Sequence, residues 1–438
     1  MIRSLILTFS GFFISLSNPI GIVYYFSAFF DMQDAAHPAH ISPEEHISSD
    51  IKINVRQEVL PMKKLCAILL LLTLPFCLLS VSAAGPETNA KAVLLMEKTT
   101  GEVLYEENSH DQLEPASVTK VMTMLLIMEA LDNGTITKDT MVPVSATAAG
   151  MGGSQVYMKE GEQFSVNDML KAIAVASGND ASVAMAEYLA GSESSFVEKM
   201  NEKAAQLGMA DTVFQNCTGL PAEGHHTSAY DIALMSRELV LNHPDIRTYT
   251  TIWMDSLRDG AFQLANTNKL IRFYEGATGL KTGSTDAALY CLSATAEREG
   301  MELIAVVLGS PTSADRFETA KALLNYGFAA YSLVTAAPSE PLPEIPVNLG
   351  KAASVQPVLE EESQLLLAKG DAAKVTTTVD LPDSVQAPVT QGQELGALTV
   401  LVDGQEKARL PLVAREEVPR LSLPEVYQGL LRILFCLV

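Results

Sequence analysis

The period of the apolar positions changes along residues 85–335 and predicts a sheet with helices packed on it. Runs at residues 92–96 and 102–106 flank the turn-forming stretch at 97–101 and predict a hairpin. Helical spacing predicts helices over residues 117–131, 168–175, 181–189, 229–241 and 314–328. Strand patterns return at residues 250–253, 278–282, 288–296 and 302–309. Because strands stand at both ends of a helical middle, one sheet covered by helices is favoured over repeated parallel units.

The pattern changes again after residue 335. Residues 336–346 are rich in proline and are predicted to form a linker. Beyond them, residues 374–379 alternate between apolar and polar positions, and residues 398–402 face residues 407–413 across Asp403-Gly404. These features predict a small all-β domain over residues 347–417.

The tail at residues 418–438 ends in an apolar stretch, 424–438, which is shorter than the roughly 20 residues needed to cross a bilayer. An amphipathic helix that lies in a membrane interface is the favoured interpretation. The alternative is a terminal helix docked on the β domain, because an apolar helix has to bury its apolar side somewhere.

Residues 62–84 have the composition of a secretory signal. A basic start at Met62-Lys63-Lys64 is followed by an apolar run and small residues, which predicts cleavage near Ala83 or Ala84. Because a signal should stand at the start of a chain, residues 1–61 are interpreted as a spurious extension that is not translated. The alternative is that residues 5–30 form a membrane segment, although serine, asparagine and proline interrupt it.

Composition narrows the function classes. With 438 residues, 48% hydrophobic and 19% charged, the chain can form two domains or more with real cores. A net charge of −22 argues against nucleic acid as a partner, because phosphate binding needs a basic surface. The cysteines of the predicted body, Cys217 and Cys291, show no zinc-type pairing, and His225-His226 is interpreted as a loop rather than a metal site. No metal or cofactor is expected.

Candidate chemistry begins at Ser117 and Lys120, which are three residues apart. On a helix they would share one face, with the serine in the first turn, where free N–H groups favour developing negative charge. A lysine so placed can replace histidine as the base of a serine nucleophile. Alone the pattern is weak, because Ser49 to Lys52 repeats it by chance and an ordinary capped helix start is the simpler explanation.

Two further motifs change that balance. Ser177-Gly178-Asn179 stands between two predicted helices, and Lys281-Thr282-Gly283 lies on a predicted strand. The order Ser-x-x-Lys, Ser-x-Asn, Lys-Thr-Gly resembles the penicillin-recognising serine enzymes, in particular D-alanyl-D-alanine carboxypeptidases of the low-molecular-mass penicillin-binding type. The resemblance is close over residues 88–335 and extends in layout to the β domain and tail. It implies an α/β (α+β) catalytic domain of the serine β-lactamase/DD-peptidase type over residues 85–335, with an antiparallel sheet and helices.

The resemblance also implies a role for each motif residue. Ser117 attacks the substrate carbonyl, Lys120 takes its proton, and Ser177 relays a proton to the leaving amine. Asn179 positions both the substrate and Lys120. Lys281 supplies a cation that, together with burial, lowers the pKa of Lys120.

The substrate is expected to bind along the strand of the third motif. By resemblance, the backbone N–H groups of Ser117 and Ser284 form the oxyanion hole. Lys281, the Thr282 hydroxyl and Arg316 hold the terminal carboxylate of the substrate. The expected substrate-binding residues are Thr282, Gly283, Ser284 and Arg316.

Two positions depart from the family's pattern. Ser284 stands where many members carry histidine, which leaves the backbone donor intact. Leu289 stands where glycine is common, which predicts a different packing of the following strand. A second Ser-x-Asn sequence, Ser165-Val166-Asn167, precedes a predicted helix and is interpreted as a helix cap.

These expectations combine into a secreted, membrane-associated serine DD-carboxypeptidase that removes the terminal D-alanine from peptidoglycan stem peptides. Its expected partners are a stem peptide ending in D-Ala-D-Ala, β-lactam antibiotics and, through the tail, the outer face of the cytoplasmic membrane. The first alternative is a serine β-lactamase, because Glu238 to Asn242 spells that family's Glu-x-x-Leu-Asn, although packing in an amphipathic helix explains it. The second is a catalytically idle wall-binding scaffold, against which the complete motifs argue.

Overall fold

The computed structural model describes residues 85–360 and 363–435 of the chain. The predicted signal at residues 62–84, the predicted extension at 1–61 with its alternative membrane segment, and residues 436–438 of the tail lie outside the described residues.

The elements are numbered in chain order. The strands are β1 (Ala92–Glu97), β2 (Val103–Glu107), β3 (Met141–Pro143), β4 (Gln163–Ser165), β5 (Met254–Leu257), β6 (Phe262–Ala265), β7 (Ala277–Thr285), β8 (Leu289–Arg298), β9 (Met301–Ser310), β10 (Tyr331–Thr335), β11 (Ile345–Asn348), β12 (Ser354–Val355), β13 (Pro357–Leu359), β14 (Gln364–Ala368), β15 (Val375–Asp380), β16 (Val385–Gln386), β17 (Glu394–Val402) and β18 (Gln405–Ala414). The α-helices are α1 (Lys120–Asp132), α2 (Ala146–Ala149), α3 (Val166–Ala176), α4 (Asn179–Ala190), α5 (Glu193–Gln206), α6 (Ala229–Asn242), α7 (Arg247–Thr250), α8 (Leu270–Phe273), α9 (Ser313–Ala330), α10 (Lys369–Ala372) and α11 (Leu423–Leu434).

The central sheet has helices on both faces. β1 is buried at every position, and its alternating side chains serve two cores. Leu94 and Met96 join the core that contains α1 and α6, whereas Val93 and Leu95 join the core that contains α9. The strand order is β2-β1-β9-β8-β7, and all neighbours are antiparallel. The antiparallel sheet with helices is thus confirmed, and β7, which carries the third motif, lies at its edge.

The residues after α9 form small, mainly antiparallel sheets, which confirms the predicted all-β fold of this part. β17 and β18 pair across Asp403-Gly404, whose φ angles of 52° and 77° suit a two-residue hairpin turn. The largest of these sheets has the order β13-β18-β17-β15. β10, which directly follows α9, pairs with β14, so backbone hydrogen bonds join the two parts of the fold on either side of the proline-rich segment.

The fold differs from the sequence prediction in the elements around residue 250 and in a helix of the middle region. The strand predicted at residues 250–253 is wrong, because α7 ends at Thr250 and β5 begins at Met254. Threonines favour strands, but the Thr251 hydroxyl donates to the Arg247 carbonyl oxygen, 2.6 Å away, and so satisfies the end of α7. The sequence prediction also lacks α5, in which the buried residues are limited to Phe196, Met200 and Ala204.

The terminal helix α11 leaves its apolar side open. It begins with a capping box formed by Ser422 and Glu425, and it buries none of its side chains. Leu430 is 60% exposed and Ile433 is 78% exposed. These two apolar side chains of α11 are therefore not buried against the β domain, whereas Val418, at the start of the tail, is buried in that domain's core. Within residues 85–360 and 363–435, none of the helices combines the length and the apolar composition needed to span a bilayer.

We expect Gly327→Ala to destabilise the protein although alanine is the better helix former. A Cβ at position 327 would lie 2.5 Å from Cδ1 of Leu303 and 3.0 Å from Cδ2 of Leu95, at the contact of α9 with the sheet. Overpacking of this kind costs about 1–3 kcal/mol and outweighs the ~1 kcal/mol gain in helix propensity. Thermal unfolding should show a lower Tm. Gly429→Ala in α11 is the control, because its Cβ meets open space; a Tm that rises in Gly327→Ala contradicts the packing argument.

Candidate active site

Three chain segments converge on Ser117. This residue lies in a single 3-10 turn, Ala116–Thr119, that leads into α1, and not in the first turn of the α-helix as the sequence predicts. A Cβ at Gly283 of β7 would lie 2.8 Å from the Ser117 nitrogen, and a Cβ at Gly219 would lie 1.8 Å from the Ala116 oxygen. The backbones of β7 and of the turn at residues 216–219 can approach the turn of Ser117 this closely because both positions are glycine.

Lys120 is fully buried beside the serine hydroxyl. Its Nζ donates to Ser117 Oγ at 3.0 Å, to Asn179 Oδ1 at 2.6 Å and to the carbonyl oxygen of Thr218 at 2.7 Å. None of these partners carries a charge that would offset the loss of solvation. Burial therefore lowers the pKa of Lys120 to about 7. A large fraction of the amine is neutral at neutral pH, as a general base requires.

Lys281 is the second buried amine of the site. Burial is the largest cause that lowers its pKa well below the usual value, and the nearby cations Lys120 and Arg316 lower it further. For Lys120 burial is the cause that lowers the pKa, so the expected contribution of the Lys281 cation is secondary at most.

The second motif lies at a junction of two helices. Ser177 ends α3 with a left-handed φ of 62°, and only Gly178 separates it from Asn179, which begins α4. The sequence placed the whole motif between the helices. Asn179 donates from Nδ2 to the Gly152 carbonyl oxygen at 2.6 Å while its Oδ1 accepts from Lys120. Ser177 Oγ is buried and has no hydrogen-bond partner among the described residues, so its proton is free for a substrate.

The third motif runs along the edge strand β7. Lys281 Nζ donates to the Thr282 carbonyl oxygen at 2.8 Å, and Thr282 Oγ1 shares a hydrogen bond of 2.7 Å with Thr267 Oγ1. Ser284 is exposed at the same edge. Leu289, where glycine was expected, adopts a φ of 56°, and β8 begins there in register with Thr285. The substitution therefore places a side chain in a left-handed conformation without breaking the strand pair.

Arg316 lies against the strand rather than in open solvent. Its Nη1 donates to the carbonyl oxygens of Gly283, at 2.9 Å, and Cys291, at 3.3 Å. Its guanidinium also lies over the ring of Tyr290, 5.5 Å from the centroid. Burial lowers its pKa. The structure thus gives Arg316 a supporting contact with β7, and its direct contact with a substrate carboxylate stays a prediction.

Three residues that contact the motifs had no role assigned to them from the sequence. Thr218 contributes only a backbone oxygen to Lys120, and Thr267 reaches Thr282 from another element. Asp180 accepts from the backbone nitrogens of Val156 and Met158, both at 3.0 Å, and so fixes the loop that meets Asn179. Thr218 lies in the sequence Asn216-Cys217-Thr218-Gly219-Leu220-Pro221, whose asparagine, glycine and proline are typical of a turn but do not indicate a role for its carbonyl oxygen.

Residues that the sequence offered as alternatives lie elsewhere or have other roles. Ser165 caps α3 by accepting from the Asp168 nitrogen at 3.1 Å, as expected. His225 is buried, and burial lowers its pKa to about 4. Its Nδ1 accepts from the Gln215 nitrogen at 3.0 Å, and its Nε2 bonds to Thr119 Oγ1 at 2.9 Å. Both ring nitrogens of His225 are therefore used.

Glu238, the candidate deacylating base of a β-lactamase, lies far from the serine. It clusters with Glu129 and His243, and Glu129 stands nine residues beyond Lys120, about 13 Å along α1. Its Oε2 accepts from Asn242 Nδ2 at 2.8 Å. The glutamate and asparagine of that sequence pattern thus form an i, i+4 pair on α6.

Comparison with known sequences agrees with this geometry. Residues 79–312 match the family described as D-alanyl-D-alanine carboxypeptidase, and residues 336–420 match the C-terminal domain of penicillin-binding protein 5. D-alanyl-D-alanine carboxypeptidase DacF of Bacillus subtilis is 45% identical over 336 residues, which cover 76% of this chain and 86% of the relative.

Solved structures give the same result. Penicillin-binding protein 5 from Haemophilus influenzae has a TM-score of 0.68 and 29% identity over 77% of this chain and 100% of its own. Penicillin-binding protein D2 from Listeria monocytogenes, in its ampicillin-bound form, has a TM-score of 0.51 and 33% identity over 55% of this chain and 98% of its own. Sequence, fold and site agree, and the chain belongs to the D-alanyl-D-alanine carboxypeptidase family.

Proposed function

We propose that this member of the family removes the terminal D-alanine from peptidoglycan stem peptides through an acyl-enzyme on Ser117. The observation that carries the proposal is a fully buried amine, Lys120, within 3.0 Å of the serine oxygen and with a pKa lowered to about 7. A scaffold without catalysis gains nothing from burying an amine in this way, because burial of an uncompensated charge destabilises the fold.

Acylation uses the first and third motifs. Ser117 Oγ attacks the carbonyl carbon of the penultimate D-alanine, and its proton passes to neutral Lys120 Nζ. The negative charge that develops on the carbonyl oxygen is stabilised by the backbone N–H groups of Ser117 and Ser284. The close approach of β7 to the serine turn at Gly283 supports this pairing of donors.

Collapse of the tetrahedral intermediate breaks the peptide bond. Ser177 gives its proton to the departing amine of D-alanine and takes one from Lys120, so that Lys120 is neutral again. Water then attacks the Ser117 ester and gives a proton to Lys120, directly or through Ser177. This proton returns to Ser117 Oγ as the ester bond breaks, which releases the shortened stem peptide and restores the serine hydroxyl and the neutral amine. No cofactor enters this sequence.

The terminal carboxylate of the substrate would bind at the Thr282 end of β7. Lys281 supplies a cation and the Thr282 hydroxyl supplies a hydrogen-bond donor. Arg316, whose guanidinium contacts the backbone of β7, adds a second positive charge. Thr267, whose hydroxyl shares a hydrogen bond with that of Thr282, orients this donor. The same subsite would take the carboxylate of a β-lactam, and the ampicillin-bound relative from Listeria monocytogenes supports β-lactam binding by this chain.

The enzyme would act outside the cytoplasm. Residues 62–84 form the export signal, residues 336–346 the linker and residues 347–417 a separate β domain in this proposal. The exposed apolar side of α11 supports attachment of the tail to the outer face of the cytoplasmic membrane.

Replacing Ser117 with alanine should abolish both D-alanine release and covalent labelling by penicillin, because the nucleophilic oxygen is lost. Intact-protein mass spectrometry measures the labelling. Ser165→Ala is the control, because it removes the hydroxyl of a serine that only caps α3. It should cost about 1 kcal/mol of stability and leave the labelling intact. Labelling of the Ser117→Ala protein would place the nucleophile at another residue.

The protein should turn over D-Ala-D-Ala peptides many times but stop after about one equivalent of penicillin, because no further base faces the bulkier penicilloyl ester. Glu238→Gln should change neither rate by more than a few-fold, against roughly 100-fold for the loss of a general base. Both rates follow from product release over time. Fast penicillin hydrolysis that collapses in Glu238→Gln would make the protein a β-lactamase.

Removing residues 424–438 should release the protein from anionic vesicles while its activity on a soluble peptide stays nearly unchanged. The double change Leu430→Glu and Ile433→Glu should have the same effect, because it places charges on the apolar side of α11. Gln428→Glu adds a charge to the polar side and serves as control. Co-sedimentation measures binding, and a truncated protein that unfolds would mean that the tail packs on the protein.

A further inference from the structure

The general base has a third partner that belongs to none of the three motifs. Ser117 Oγ and Asn179 Oδ1 come from the first and second motifs, whereas the carbonyl oxygen of Thr218, 2.7 Å from Lys120 Nζ, comes from the turn at residues 216–219. Thr218 is buried, so this oxygen faces the amine and not solvent.

The proton count of the amine makes this third contact important. A charged ammonium has three N–H donors, and a neutral amine has two donors and one lone pair. The Thr218 carbonyl oxygen and Asn179 Oδ1 can each only accept a hydrogen bond. When Lys120 is neutral, these two acceptors hold its two N–H bonds, and the lone pair is left directed at Ser117 Oγ–H. Without Thr218, the amine can rotate about Cε–Nζ and direct its lone pair elsewhere.

A single side chain forms the turn that presents this oxygen. Asn216 Oδ1 accepts from the Thr218 nitrogen at 3.1 Å, from the Thr218 hydroxyl at 3.1 Å and from the Gly219 nitrogen at 2.7 Å. Asn216 Nδ2 donates to the Leu220 carbonyl oxygen at 2.9 Å. Both ends of the Asn216 amide therefore form hydrogen bonds with the local backbone and with the Thr218 hydroxyl, as in an Asx turn.

The turn is also fixed to the helix that carries the base. Thr123, one helical turn after Lys120, donates its hydroxyl to the Cys217 carbonyl oxygen at 2.7 Å. Gly219, at a φ of 82°, leaves no room for a side chain against the Ala116 oxygen. Two successive carbonyls of the turn thus accept from α1, and its glycine abuts the residue before the nucleophile.

We propose that Asn216 is a positioning residue for the general base, because its side chain holds the Thr218 carbonyl oxygen in place to direct the Lys120 lone pair at Ser117. This inference rests on the proposed function, in which Lys120 takes the serine proton. Asn216 acts through the turn and need not touch the substrate.

The rate of penicillin acylation, measured from about pH 5 to about pH 10, tests the inference, because its acid limb reports the ionisation of the base. Asn216→Ala should lower the plateau rate roughly 10- to 100-fold, the scale of a misplaced catalytic group. Its acid limb should move to lower pH, because the lost acceptor stabilises the ammonium form more than the amine.

Asn216→Asp should shift the acid limb in the opposite direction. A carboxylate keeps the acceptor for the Thr218 and Gly219 donors but loses the donor to the Leu220 carbonyl oxygen, so the plateau rate should fall less than in Asn216→Ala. Its negative charge favours the ammonium form, so the acid limb should move to higher pH. Asp180, Cys217 and Lys281, the titratable groups that interact with Lys120, are the same in every variant.

Asn201→Ala is the matched control. The Asn201 amide bonds the backbone nitrogen of Phe214 at 2.8 Å and its oxygen at 2.9 Å, just before the turn. Loss of the Asn201 amide destabilises the same region without changing the turn at residues 216–219. The plateau rate of acylation and the pH of its acid limb should therefore both be unchanged. Equal effects of Asn201→Ala and Asn216→Ala, or limbs that stay in place in both Asn216 variants, would overturn the inference. Labelling that does not depend on Ser117 would instead refute the proposed function.

Discussion

The burial of one amine, Lys120, is the constraint on which the site depends. Its hydrogen-bond partners are a hydroxyl, an amide oxygen and a backbone carbonyl, so none of them carries an opposite charge, and the more distant Asp180 offsets the desolvation only in part. The neutral form is therefore favoured, and the pKa falls to about 7. Each partner comes from a separate part of the chain. The fold is needed to bring these segments together, because none of them could bury the amine alone.

A second constraint is the space around the nucleophile. The 3-10 turn of Ser117, the edge strand β7 and the turn at residues 216–219 meet where backbone touches backbone, and glycines at 219 and 283 make this contact sterically feasible. Such an arrangement suits a hydrolytic site, because N–H groups of two segments can point at one oxygen. It also couples the catalytic groups: a shift of β7 or of the 216–219 turn moves the serine backbone as well.

Much of this could be predicted from the sequence, and the exceptions share a cause. The sheet and its helices follow from side-chain period and residue type, which are visible in the sequence, whereas the three motifs gained their meaning from the resemblance to a known family. The missed contacts involve groups that every residue has, such as the Thr218 carbonyl, or pairings set by tertiary structure, such as Thr267 with Thr282. The false strand at 250–253 arose because threonine is a strand former on average and can also satisfy a helix end.

The geometry of the base bears on both halves of the reaction. Once Ser117 is acylated, its oxygen carries no proton, and the lone pair of Lys120 faces an ester oxygen and any water beside it. Because Glu238 of α6 lies beside Glu129, near the C-terminal end of α1, the proposed mechanism leaves activation of the hydrolytic water to the same amine or to Ser177, whose hydroxyl has no hydrogen-bond partner among the described residues. An acyl group that fills the space next to Lys120 excludes this water, whereas a slender peptidyl ester leaves it room. In the proposed mechanism, the orientation that suits Lys120 as the base for acylation would thus also make deacylation sensitive to the size of the acyl group, which would let one site hydrolyse a peptide and be blocked by a β-lactam.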